Sequence, residues 1–240
     1  MVLPNIDIIS GLTGLEIFVS GYLFAIILLV RHARRAPNKK LRNRIIISAI
    51  GLIGVYHSWF GSAANFISLS LGFQALGPVV SVLGYAWGPA LGATIWMYIA
   101  SESIKNGRFK IPLTLLAAIL SVSFMILVYA NPLEFAFYRP SPEGGLPSSG
   151  FRGVAMALLA VLLIIMLIFM GPAFIISGLK KEDKSAKWRN ISMGVGAMML
   201  SLFGIIDAAV SDIPLILLVV VKAFIFTSVF LLYEGIDKGT

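Results

Sequence analysis

The chain predicts an all-α, polytopic membrane protein: one seven-helix transmembrane domain over residues 1–240, with the N-terminus outside and the C-terminus in the cytoplasm. Three observations carry this reading. Hydrophobic residues make up 58% of the sequence and charged residues 12%, with a mean hydropathy of +0.94, whereas a soluble domain is about one quarter charged. Seven apolar runs lie between the charge clusters, each long enough to cross a hydrocarbon core of about 30 Å. Sixteen of the nineteen Lys and Arg fall on one side of those runs, fifteen in connections and Lys238 in the tail, the side that the positive-inside rule assigns to the cytoplasm.

The first run, residues 8–30, reads as a retained helix, because Met1–Asp7 has no basic region and no small-residue cleavage site follows. RHARRAPNKKLRNR then supplies seven basic residues before the second run, 45–67. The third run, 77–100, ends at SESIKNGRFK, and the fourth covers 111–130. Asn131–Arg152 is rich in Pro, Gly and Ser and reads as an irregular loop with Phe135, Phe137 and Tyr138 resting at the interface. The fifth run, 153–179, leads into LKKEDKSAKWRN, and the sixth and seventh cover 191–210 and 213–233. Arg139 and Arg152 lie on the opposite side, and Lys222 falls inside the last run. Topology thus accounts for the net charge of +8, and no nucleic-acid partner is needed; the basic first loop is suited to anionic lipid. Asn190-Ile191-Ser192 fits a glycosylation pattern but sits on the cytoplasmic side.

Helix 3 carries Gly84, Gly88 and Gly92 at four-residue spacing, three bare backbone patches where another helix can approach closely. Pro89 removes a backbone hydrogen bond in the same helix, so this segment is a candidate for helix packing or a hinge. Gly51 and Gly54 in helix 2 and Pro172 in helix 5 admit the same two readings.

Charge in hydrocarbon is costly unless paired or hydrated, so intramembrane ionisable residues are candidate site residues. Glu16 lies eight residues into helix 1 and Lys222 nine residues into helix 7, at matching depths of about 12–13 Å. First and last helices of a closed bundle are usually neighbours, which makes a Glu16–Lys222 ion pair the expectation. His57 lies near the same level, so the three form a predicted polar layer, either ligand-binding or a structural ion-pair layer that fixes helix register. Tyr85 and Trp87 are the candidate cavity-lining aromatics. Asp207 and Asp212 bracket the turn between helices 6 and 7 and read as solvated, with Asp212 capping the last helix ahead of Pro214.

Several chemistries lack their residues. With no cysteine there is no disulfide and no thiolate metal site. The two histidines, His32 and His57, lie at different depths and cannot hold a haem between them. No HExxH, P-loop, Gly-x-Ser-x-Gly or paired intramembrane carboxylates occur, so neither catalytic residues nor a metal site are expected and the chain does not read as an enzyme. A lysine in the middle of helix 7 resembles the retinal-bearing lysine of rhodopsins, but Leu218 stands where a microbial rhodopsin has an aspartate and helix 3 has no acid before Glu102. No cofactor is therefore expected, with retinal on Lys222 the one alternative.

The Arg-rich first inner loop, Trp87-Gly88-Pro89, the long helix 5 before Trp188-Arg189-Asn190, and the closing Leu232-Tyr233-Glu234-Gly235 together resemble seven-helix membrane proteins common in archaea. Those are similar to the N-terminal sensory module of some histidine kinases. The resemblance implies a receptor-like or sensory module in the cell membrane. Only about seven residues follow helix 7, so any signal would pass to a separate protein partner at the basic inner loops or within the membrane. Two other classes fit the pattern: an accessory subunit of a membrane complex, and a small-solute transporter with a three-one-three helix layout. Few polar groups lie in the inner half, which disfavours transport.

Overall fold

The computed structural model describes residues 5–102, 104, 108–141, 145–209 and 215–237. Among them are seven long helices: α1 (residues 5–35), α2 (39–70), α3 (79–101), α4 (Lys110–Ala130), α5 (Gly153–Leu179), α6 (Lys184–Ala209) and α7 (Leu215–Asp237). Six of these, α1, α2 and α4 to α7, are long and apolar enough to cross a membrane. The chain is an all-α, multi-pass membrane protein. Asp212 and Lys238 lie outside the described residues.

Helix starts follow local capping rather than hydropathy. Asn38 caps α2 by accepting from the Leu41 N–H at 2.8 Å, and Asp183 accepts from the Ala186 N–H at 2.7 Å just before α6. Each cap satisfies a backbone donor that helix geometry leaves unpaired. Both helices therefore begin at Lys39 and Lys184, six and seven residues before the apolar runs, because Lys, Arg and Ala support a helix without being apolar. At its other end α2 closes on Gly72, whose φ of +81° suits glycine. There the Phe73 N–H reaches the Ser68 carbonyl, a Schellman-type stop.

The segment expected to be an irregular loop is built differently. After a single helical turn, Pro132–Phe135, strands β1 (Ala136–Arg139) and β2 (Ser148–Phe151) pair antiparallel, with Ala136 opposite Phe151. This hairpin is anchored from four sides. Phe151 packs edge-on against Phe124 of α4, with ring centroids 4.8 Å apart. Tyr138 donates to the Leu76 carbonyl at 2.8 Å, Arg152 donates to the carbonyls of Leu133 and Glu134, and the Leu146 N–H donates to Asp7 of α1 at 2.9 Å. The hairpin roofs one end of the bundle, and the basic connections lie at the other.

Three helices carry a widened, π-type turn: Leu28–His32 in α1, Val79–Leu83 leading into α3, and Met166–Met170 in α5. In α5 the Gly171 N–H reaches back to the Met166 carbonyl; Pro172, which lacks an N–H, follows at once. In α2 the turn His57–Trp59 is tightened to 3₁₀ geometry instead. Such departures mark strain or function more often than chance. The one in α2 adjoins the site described next.

Candidate functional site: a cavity beside the Lys222–Asp207 pair

Lys222 is a lone cation in the otherwise apolar α7, and burial there demands a counter-charge. Asp207 of α6 supplies it. The Lys222 Nζ lies 2.7 Å from Oδ1 and 2.8 Å from Oδ2 of Asp207, with side chains 8% and 19% exposed. Trp59 of α2 adds a third element, its Nε1 donating to Asp207 Oδ2 at 3.1 Å. The Lys222 ammonium also stands 5.7 Å from the centre of the Trp59 ring. A charge-assisted network of this kind ties α2, α6 and α7 together.

The pair lines a cavity of about 760 Å³ that reaches up to the hairpin, within the size range of small-molecule sites. Its walls change character with depth. Near the hairpin stand Asp7, Ser62, Asn65 and Arg139, while Ala93, Met166 and Leu200 line the deeper part. Leu200 is seven residues from Asp207 along α6, about 10 Å further from the hairpin. The space therefore suits an amphipathic molecule, with an apolar body held deep and polar groups near Asp207 and the mouth.

The other predicted site residues are not gathered here. Glu16 does not meet Lys222 and is exposed on the outside of α1. Its direction is set by Gly11, Gly14 and Gly21, where an added Cβ would lie 2.2 Å from Phe66, 2.7 Å from Ser62 and 2.4 Å from Tyr56 of α2. These glycines press one face of α1 onto α2 and turn the Glu16 face away. The expected pairing rested on depth alone; the rotation of α1 turns Glu16 away, and Lys222 pairs with Asp207 instead.

His57 is buried on a different side of α2 from Trp59. Its Nδ1 lies 2.7 Å from the Tyr22 hydroxyl, and its ring stacks on Phe60 at 5.0 Å and lies 4.4 Å from Trp87. His57 and Trp87 thus form an aromatic cluster between α1, α2 and α3, and neither lines the cavity. The side chains of the turn holding Gly84 and Tyr85 lie outside those described. Gly88 and Gly92 face α2: an added Cβ would sit 2.6 Å from the Gly54 carbonyl oxygen or 2.5 Å from the Val55 nitrogen. Pro89, between them, lines the cavity.

Asp207 is the residue that sequence reasoning placed in solvent. A signal for it existed, since Asp207 and Lys222 are only fifteen residues apart in sequence, on consecutive helices, and antiparallel neighbours bring such positions together. Among the described residues no three His, Asp or Glu side chains cluster to hold a metal. No protein-family model matches the chain, and no curated protein is significantly similar to it.

Proposed function

We propose that the chain is a receptor-like, sensory membrane protein of seven spanning helices, α3 included, that binds a small amphipathic molecule in the cavity beside Lys222 and Asp207. In this reading the hairpin end faces outward, the basic connections face the cytoplasm, and occupancy is passed to a separate protein at those connections. One observation carries it: a cavity of about 760 Å³ with a charged pair in its wall, apolar at depth and polar toward the hairpin. The apolar deep wall of Ala93, Met166 and Leu200 gives no polar path onward, which favours reception over transport.

The absence of native cysteine makes the test direct. Ala93→Cys and Leu200→Cys are introduced singly and exposed, in sealed cells, to a small membrane-impermeant thiol reagent. Both should be modified from outside, and amphipathic molecules that protect them should raise the melting temperature of the wild type but not of Ala93→Trp. Modification only after the membrane is permeabilised would overturn the orientation. No modification in any state would overturn the open cavity.

A second reading is favoured by the same ion pair, because a lysine with a carboxylate at 2.7 Å has the partner that a retinal Schiff base needs. Here Asp207 fills the role that no acid on helix 3 could. Incubation with retinal should then give a visible absorption band that Lys222→Met abolishes, and a colourless product ends this reading.

A further inference from the structure

Glu16 poses a separate problem. It stands on α1 one turn from Leu12 and one from Val19, in the row Leu12, Glu16, Val19, Leu23, Ile26, Val30, whose apolar members are each 49 to 52% exposed. Eleven residues of helix precede it, about 17 Å, so the carboxyl sits in the part of α1 that hydrocarbon surrounds. Among the described residues it has neither a hydrogen-bond nor an ion-pair partner, and the buried cation Lys222 is held by Asp207. Nor can α1 rotate to hide it, because Gly11, Gly14 and Gly21 fix the opposite face against α2. A carboxyl left in lipid is unfavourable, and such groups are found facing other protein.

The row alternates steps of four and three residues, the 3.5-residue repeat of a seam between two parallel helices. We propose that this face of α1 packs against α1 of a second copy in the same membrane orientation, with the two Glu16 carboxyls opposed. A two-fold interface sets each residue on the axis against itself. Glutamic acid is one of the few side chains suited to that position in lipid, because a carboxylic acid group carries both a donor and an acceptor and two of them close a reciprocal, uncharged pair across the axis. Leu12, Val19, Leu23 and Ile26 supply the apolar contacts on either side. Gly51, Gly54, Gly88 and Gly92 of α2 and α3 do not compete for this role, since they are consumed by packing within the chain.

The test uses single cysteines in the full-length protein in bilayers. Val19→Cys and Leu23→Cys should give oxidative dimers at least about ten-fold above Ile119→Cys, a control on the exposed face of α4. In the Val19→Cys background, Glu16→Gln, which keeps a donor and an acceptor, should preserve the dimer, and Glu16→Leu should lower its yield about five-fold. Cross-linking no greater than at Ile119 would overturn the proposal, as would an unchanged yield with Glu16→Leu. So would a wild-type protein that photobleaches in single steps in bilayers, which would assign this face to a different, cationic membrane helix.

Discussion

Asp207 serves two neighbours at once, the Lys222 ammonium and the Trp59 indole, and its removal should therefore be felt at two helices. Asp207→Asn leaves Lys222 without its counter-charge. Removing one member of a fully buried pair costs about 3–5 kcal/mol, and water in the adjoining cavity reduces this. Trp59→Phe forfeits one hydrogen bond to a charged group, about 1.5–3 kcal/mol at most, and should lower the thermal midpoint less than Asp207→Asn. The double variant Asp207→Asn with Lys222→Met should be less destabilised than the two singles added together, with a coupling of about 1–3 kcal/mol. Denaturation in detergent reads all three, and strictly additive singles would show that the two side chains do not act as a pair. At this scale the sequence disclosed Lys222, a lone cation in an apolar run, but not its partner. Depth along a helix can be counted; the direction of a side chain around the helix depends on which face its glycines press against a neighbour.

At the scale of elements, the close approach of α2 and α3 is the most vulnerable contact. A Cβ at Gly88 or Gly92 meets backbone at 2.6 or 2.5 Å, and backbone cannot swing aside as a side chain can. Gly88→Ala and Gly92→Ala should each destabilise by about 1–3 kcal/mol, whereas Gly77→Ala, with nothing within 4 Å, should melt like the wild type. The long helices were legible because apolar runs of membrane length are rare in other settings. The polar first turns of α2 and α6 were not, since hydropathy is blind to a helix that starts in water. The hairpin also escaped notice: strands of four residues are too short for alternation to stand out, and their pairing depends on anchors as remote in sequence as Leu76 and Asp7.

For the whole molecule, the unequal spread of Lys and Arg makes one firm demand under the proposed orientation. Cysteine at Ser149, in the hairpin, should react with an impermeant reagent in intact cells, and cysteine at Ser185, before the apolar part of α6, only after permeabilisation. The reverse pattern would invert the molecule and with it the direction from which the cavity fills. Composition alone disclosed the membrane setting, since the whole chain contributes to it. The cavity was only half legible, because it draws Ala93, Met166, Leu200 and Asp207 from three different helices, and no stretch of sequence contains it.

The widened turn of α5 has a consequence for chain length. Leu162, Met166, Met170, Phe174 and Gly178 are all buried, yet a strict four-residue spacing drifts by about 40° per step in a regular α-helix. The extra residue stored in Met166–Met170 takes up part of that drift and keeps the row facing inward. This turn is therefore a place where α5 can be shortened: deletion of the lipid-exposed Ile168 should return the turn to α-helical geometry, leave both halves of the helix facing the bundle, and yield a 239-residue protein that still inserts and melts cooperatively. The same deletion at Ala173, within Gly171–Leu179, would swing every following side chain by about 100° and turn Phe174 off the inward face.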